Sequence, residues 1–340
     1  MVQGVNAKWD AHAVKMSVPF EGPSLTLTDS DYVVLPQLKG AFEMESTDCS
    51  IFRMEWIPHY ANLTALTDSN APLEFTVNVE GSYYLDLKNS FINTRLRLTK
   101  NGEEIPATEL VAPDSLLFHT MFEECFLYYN DRLISESSGL YGHQAYLDRL
   151  LKCSPNQKEW DLPREFFYEN QTPDLFTDAD PGFKERRDLT KGSKAFVVGG
   201  KPALGLFNQD RYIFPGSTIK LQMRRAPIEK ILTAGIEIQD ASVYKLEILS
   251  ATFMACRKMI QDKVLDFHRK QVGLGRKFIF SYKDAQMRSF TIAKGMSSFE
   301  VDSLIIGMHI FYTVCEFSDD ARPRANWIYE IINPFYSFVF

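Results

Sequence analysis

The sequence predicts an all-β protein with short helices inserted between antiparallel strands. Hydrophobic and polar residues alternate with a period of two through residues 73–99 (LEFTVNVEGSYYLDLKNSFINTRLRLT). There Phe75, Val77 and Val79 oppose Thr76, Asn78 and Glu80, while Leu96 and Leu98 oppose Arg95 and Arg97. Two-residue polar turns, Asn101-Gly102 and Asn130-Asp131, separate such runs and tolerate positive φ. Aromatic content is also high, with 26 Phe and 15 Tyr in 340 residues, which suits pleated, half-buried surfaces.

At 340 residues and 39.0 kDa the chain is long enough for a substantial core, most naturally divided into two domains. Residues 1–48 read as an N-terminal arm, with Pro19, Pro23, Pro36 and one edge-strand candidate at 25–31 (LTLTDSD). Such an arm either reaches onto a neighbouring subunit or ends as a frayed terminus. Residues 49–70, with Ile51, Phe52, Met54, Trp56 and Ile57, give an edge strand or a packed loop.

Beyond the central alternation, Asp114-Ser115 is a helix-start candidate ahead of Leu117, Phe118, Met121 and Phe122. Strands are expected at 125–129 (CFLYY) and 132–135 (RLIS), then a helix with Leu140, Gln144, Leu147 and Leu151 on one face. Residues 154–195 are rich in Pro, Asp, Asn and charge and read as a long surface loop. Their cluster Lys184, Arg186, Arg187, Lys191 and Lys194, offset by Glu185 and Asp188, reads as a solvated face. Strands resume at 194–198, 203–207, 212–214 and 218–225, with Pro215-Gly216 turning into the last. The first domain is thus 49–242 and the second 243–340. The second opens with a strand pair in YKLEILSATFMACRKMI and a short helix ending at Gly273 or Gly275. Strands at 277–282, 286–292, 298–300 and 304–311 follow.

Composition narrows the function. A net charge of −7 argues against coating nucleic acid, so no specific nucleic-acid binding is expected. Cys49, Cys125, Cys153, Cys256 and Cys315 are odd in number and show no CxxC. They read as buried or half-buried thiols in a reducing compartment, not a zinc or disulfide framework. The N-terminus lacks an apolar signal core, and no apolar run approaches the roughly 18 residues that span a bilayer. The triplets at Asn62 and Asn170 match the glycosylation pattern, by chance on this reading.

Few residues fall into patterns that carry chemistry. Val197-Val198-Gly199-Gly200-Lys201 echoes a phosphate loop, but the spacing is wrong and no helix is expected after it. His12, His59, His119, His143, His268 and His309 form no i,i+4 pair and read as core-edge or surface residues. Glu123-Glu124 and Asp319-Asp320 are adjacent pairs on turn or helix surfaces, without the facing geometry of an acid–base couple. No catalytic, cofactor-binding or metal residue is expected, and no enzyme.

Four segments, YLDLKNSFINTRLRLTKNG, LFHTMFEECFLYYNDRLIS, LYGHQAYLDRLL and LFNQDRYIFPGSTIKLQMRR, occur in an order that resembles a known family. They are similar to the double jelly-roll major capsid proteins of Polinton/Maverick elements and adintovirus-like DNA viruses, of the PRD1–adenovirus lineage. YKLEILSATFMACRKMI, RSFTIAKGMSSFEVDSLIIGM and IINPFYSFVF look like the corresponding later segments, so the resemblance runs from residue 73 to 340.

It implies two eight-stranded antiparallel β-sandwiches, a double jelly roll with short inserted helices. Three chains would form a pseudo-hexagonal capsomer that tiles an icosahedral shell. The implied partners are the chain itself as a homotrimer, neighbouring capsomers and a minor (penton) capsid protein. No cofactor is implied. The implied location is the virion capsid, after synthesis in the host cytoplasm and assembly there or in the nucleus. In the family further strands follow the NPF-like segment. Here Phe340 is the last residue, so the second roll is expected to be incomplete. The alternative function is a minor-capsid or host-retained β-sandwich that binds protein or carbohydrate.

Overall fold

The computed structural model describes residues 50–62, 66, 71–137, 139–172, 176–234, 240–276, 280, 284–290, 310–316 and 326–332. Its strands, in chain order, begin with β1 (Ile51–Tyr60), β2 (Leu73–Asn78), β3 (Tyr83–Lys100), β4 (Val111–Pro113), β5 (Phe122–Tyr129) and β6 (Arg132–Ser137). They continue with β7 (Phe196–Gly200), β8 (Thr218–Arg225), β9 (Leu232–Ala234), β10 (Tyr244–Ile260), β11 (Asp284–Phe290), β12 (Ile310–Glu316) and β13 (Asn326–Ile332). The α-helices are α1 (Leu117–Thr120), α2 (Tyr141–Lys152), α3 (Pro155–Trp160), α4 (Pro181–Thr190), α5 (Ile228–Ile231) and α6 (Asp262–Gly273).

Two four-stranded antiparallel sheets face each other, ordered β1-β10-β3-β7 and β2-β8-β5-β6. Apart from the β5–β6 hairpin, successive long strands pass between them: β1, β3, β7 and β10 lie in the first, β2, β5, β6 and β8 in the second. This wrapped, eight-stranded path is a jelly roll. Short β4 and β9 pair beside it, and β11-β13-β12 form a third antiparallel sheet.

The alternation in the sequence sets which faces meet. In β2, Leu73, Phe75 and Val77 are buried while Thr76 and Asn78 are exposed. In β8, Ile219, Leu221 and Met223 are buried. Phe75 of the second sheet and Phe253 of the first approach with ring centroids 6.1 Å apart, and Phe207 meets Phe253 edge-on at 6.3 Å. Around them Leu96, Leu98, Phe118, Leu127 and Ala255 fill one continuous core. Burying side chains of this size contributes about 1.5–3 kcal/mol each.

Turn chemistry follows the residues. Asn101 (φ 50°) and Gly102 (φ 83°) reverse the chain after β3, and Asn130 (φ 47°) and Asp131 (φ 63°) join β5 to β6. Both are left-handed pairs, the geometry that matches the twist of a tight hairpin.

Several expectations are corrected. YKLEILSATFMACRKMI is one 17-residue strand, β10, not a strand pair. It is a central strand bonded to β1 and β3, although the sequence reading opens a second domain at Val243. Residues 203–207 form a 3-10 turn at Gly205–Asn208 instead of a strand. Asp114-Ser115 does not cap α1; Leu116 occupies that position with φ 59°, and Ser115 Oγ accepts from Tyr168 N–H. On α2 the buried face is Tyr141, Gln144, Ala145, Leu147 and Asp148, whereas Leu151 is exposed.

Residues 154–195 depart most from the surface-loop expectation. They fold into α3, a 3-10 turn at Leu162–Glu165 and α4, and bury Phe166, Phe167 and Phe183. Ser154 and Gln157 form a reciprocal capping box at α3, with Pro155 at its first turn. The arm 1–48, the strand candidate at 298–300, most of 277–282 and of 304–311, and the terminal NPFYSFVF lie outside the described residues.

Candidate functional site

The densest polar chemistry in the described fold lies where α1, α2 and the 3-10 turn at Leu162–Glu165 meet the end of β7. The Glu165 carboxylate accepts from Arg149 Nε at 2.8 Å, from Arg149 Nη2 at 3.0 Å and from His119 Nε2 at 3.2 Å. On the other side of the ring, His119 Nδ1 lies 3.0 Å from Tyr141 Oη, which itself accepts from Ala203 N–H at 3.0 Å. Arg149 Nη2 also reaches Lys201 O at 3.3 Å. These contacts assign one proton arrangement. Tyr141 donates to Nδ1 of a neutral His119, whose Nε2–H donates to Glu165.

Electrostatics agree with that arrangement. Burial pushes His119 below its ordinary value, against the pull of Glu165, and burial raises Tyr141 well above its own. Burial alone would raise Glu165, but the attractions of His119 and Arg149 outweigh it and hold the carboxyl at about 2.

A Tyr–His–Glu chain has the residue types of acid–base catalysis, but a catalytic acid or base must reach a proton on a substrate. His119 and Tyr141 are both 0% exposed, and their polar atoms face one another. What the cluster does is join three elements. Its place also explains Gly200, where an added Cβ would lie 2.7 Å from Phe118 Cδ1 and 2.8 Å from Glu165 Oε1. The glycines read as a phosphate-loop echo are strand positions packed tightly against neighbours.

Two further polar locks have the same character. At the β3 bulge, Asp86 Oδ2 meets Lys258 Nζ at 2.6 Å, and Lys258 donates to Tyr212 Oη at 2.8 Å with its ammonium over the same ring. Asp180 caps α4 by accepting from Phe183 N–H at 2.9 Å, and also accepts from Gln171 N–H at 2.8 Å and Thr172 N–H at 2.9 Å. The basic cluster read as a solvated face divides. Arg186 and Arg187 are buried, Arg186 on the carbonyls of Pro113 and Tyr168, Arg187 on those of Glu109 and Ala107 and on Asp178. Lys184, Lys191 and Lys194 are exposed. Buried guanidinium groups survive because their planar donors are taken up by carbonyl oxygens.

The remaining sequence candidates are dispersed. His268 Nδ1 lies 2.7 Å from Tyr84 Oη, His59 is half-buried between β1 and β2, and His143 is exposed on α2. Glu123 and Glu124 sit on strand β5, not on a turn or helix, and pair with Lys230 and Arg224. Cys125 and Cys256 are buried and Cys153 is half-buried. Among the described residues no group of three or more His, Cys, Asp and Glu is placed to hold a metal ion, and no helix is long and apolar enough to cross a membrane. Cys49, Cys315, His12, His309 and Asp319-Asp320 lie outside the described residues. Sequence reasoning missed the Glu165 cluster because Tyr141, Arg149 and Glu165 follow no motif. The apolar flanks of His119 (LLFHTMF) were the one available sign of burial.

The class that fold and site define is an all-β, jelly-roll protein with short inserted helices, built around sealed polar locks. No family model and no curated protein matches the chain. Among solved structures it is similar to a chain in the cryo-EM structure of the Sputnik virophage, with TM-score 0.51 and 11% identity. That match covers 77% of this chain and 57% of the other. It is also similar to the quasi-atomic model of the PBCV-1 virus capsid (TM-score 0.44, 12% identity, 82% of this chain and 55% of that one). A third is the Faustovirus major capsid protein (TM-score 0.38, 9% identity, 75% and 62%). The chain spans a little over half the length of the virophage chain it matches. At that identity the likeness is one of fold.

Proposed function

We propose that the chain is a structural subunit of a virus-like protein shell, a major capsid protein located in the virion capsid. The observation that carries this reading is the strand path: two facing sheets, β1-β10-β3-β7 and β2-β8-β5-β6, in a chain whose fold is similar to that of a virophage protein. The sealed polar clusters support it, since they spend their ionisable groups on holding elements together. On this reading the chain forms homotrimers with a pseudo-hexagonal outline, which contact neighbouring capsomers and a penton protein. The lineage proposed is that of the Polinton/Maverick elements, which rests on the ordered sequence segments. The 1–48 segment is proposed as an arm. Because β10 bonds to β1 and β3, the reading places the division between the two rolls after Ile260.

The test is the solution mass of the purified full chain by light scattering, with negative-stain images of the same peak. A mass near three times 39.0 kDa with hexagonal outlines is the expected result. A clean monomer at all concentrations overturns the assembly reading and favours a β-sandwich binding module for protein or carbohydrate.

A further inference from the structure

The face of β1 that points away from the sandwich carries Met54, Trp56 and Tyr60, exposed by 48%, 43% and 75%, and Phe52, exposed by 59%, sits at the bulge that opens the strand. Among the described residues β1 is an edge strand, paired with β10 alone. Aromatic side chains bury about 150–250 Å² each, so these exposures leave on the order of 400 Å² of largely apolar surface along the strand. That is the size of patch that on a monomer is usually functional, roughly 300–600 Å². It is also about half of the roughly 800 Å² that each partner contributes to a stable interface. Its residue types, aromatic and Met with Arg53 alongside, are those enriched at interface centres.

Two observations say what kind of partner fits. The strand is electrically closed on itself, since Arg53 Nη2 meets Glu55 Oε2 at 2.8 Å and no other Asp, Glu, Lys or Arg lies in Ile51–Tyr60. Two copies of a chain with net charge −7 repel over most of their surface but not here, and a neutral apolar row is its own complement. Strand addition is disfavoured as well. From Arg53 to Tyr60 the β1–β10 register runs unbroken through Pro58, opposite Met254, so the absent N–H falls on the free edge.

We propose that this row packs against a second copy of the chain, side chain against side chain, without extending the sheet. The inference rests on the assembly reading and names one of its contact surfaces. The test compares self-association of full-length wild type with Phe52→Glu/Tyr60→Glu by sedimentation over a range of concentrations. Val197→Glu, on the opposite edge strand β7 and 65% exposed, serves as the control. The double variant is expected to weaken association about 100-fold or more, the scale of losing two large anchors, with an unchanged melting temperature. Val197→Glu is expected to associate as wild type does. Should the double variant lose its fold, Tyr60→Glu alone carries the comparison. A wild type that assembles, with row variants that assemble equally well, overturns the inference and leaves the shell reading standing. A wild type that stays monomeric overturns both.

Discussion

Arg149 of α2 and Glu165 of the 3-10 turn, 16 residues apart, form a two-pronged ion pair in which Nε and Nη2 donate to Oε2 and Oε1 at 2.8 and 3.0 Å. The pair ties the segment between β6 and β7 to the helix that begins it. His119 adds a third donor from α1, so one carboxylate fixes three elements. Buried charge pairs are costly to assemble and costlier to break by halves.

Removing one partner therefore does more harm than removing both. Arg149→Met leaves the Glu165 carboxylate buried with only a neutral His119 donor, and should destabilise by about 3–5 kcal/mol. Arg149→Met combined with Glu165→Leu should recover part of that loss. Urea unfolding of the two single variants and the double variant measures the coupling. Equal, additive losses would show that the pair is not coupled in the folded protein.

Acid should unlock the same site. Glu165 titrates at about 2 when folded, against an ordinary value of 4.5, so the folded state binds fewer protons than the unfolded chain. The stability this supplies is present above about pH 4.5 and drains as pH falls toward 2. Burial of neutral His119 adds a loss that begins below its ordinary value of 6.5. Melting temperature followed from pH 7 to pH 3 should fall, and Glu165→Gln should flatten the part of the curve below pH 4.5.

Gly200→Ala should lower stability by about 1–3 kcal/mol, because its methyl group meets Phe118 and Glu165 and the core around them is filled. Gly273→Ala, at the end of α6 with nothing within 4 Å, should be neutral or stabilising by up to about 1 kcal/mol. Thermal melts of the two variants side by side decide the matter.

Asp180→Ala would strip the acceptor from three backbone N–H groups, those of Phe183, Gln171 and Thr172. With typical cap losses of about 0.5–2 kcal/mol, and two further donors left unpaired, the expected cost is about 2–4 kcal/mol. Asp180→Asn, which keeps one oxygen acceptor, should lose less. Hydrogen exchange should show faster opening of α4 than of β3 or β10 in the Ala variant.

Legibility in the sequence followed the range of the forces involved. The β2 and β3 alternation, the β8 pattern and the two hairpin turns were readable because a period of two and a left-handed turn are local properties of a few residues. Residues 154–195 mislead for the opposite reason. Pro, Asp and Arg look like solvent-facing loop, yet Asp180 and Arg186 are polar because they serve buried backbone groups contributed by distant segments. The role of β10 was hidden for the same reason, since a 17-residue alternating run carries no mark of which sheet it enters.

From its sequence alone this protein was determined to be all-β, with strands whose apolar faces were known before their partners, and with helices short enough to sit between them. Local alternation and turn chemistry suffice for that. Only the tertiary structure decided that β1, β10, β3 and β7 share a sheet, that Glu165 meets Arg149 and His119, and that an apolar row on β1 is left facing outward. Those outcomes depend on contacts between residues far apart in the chain, and their energies come from burial and charge pairing that no short segment possesses by itself.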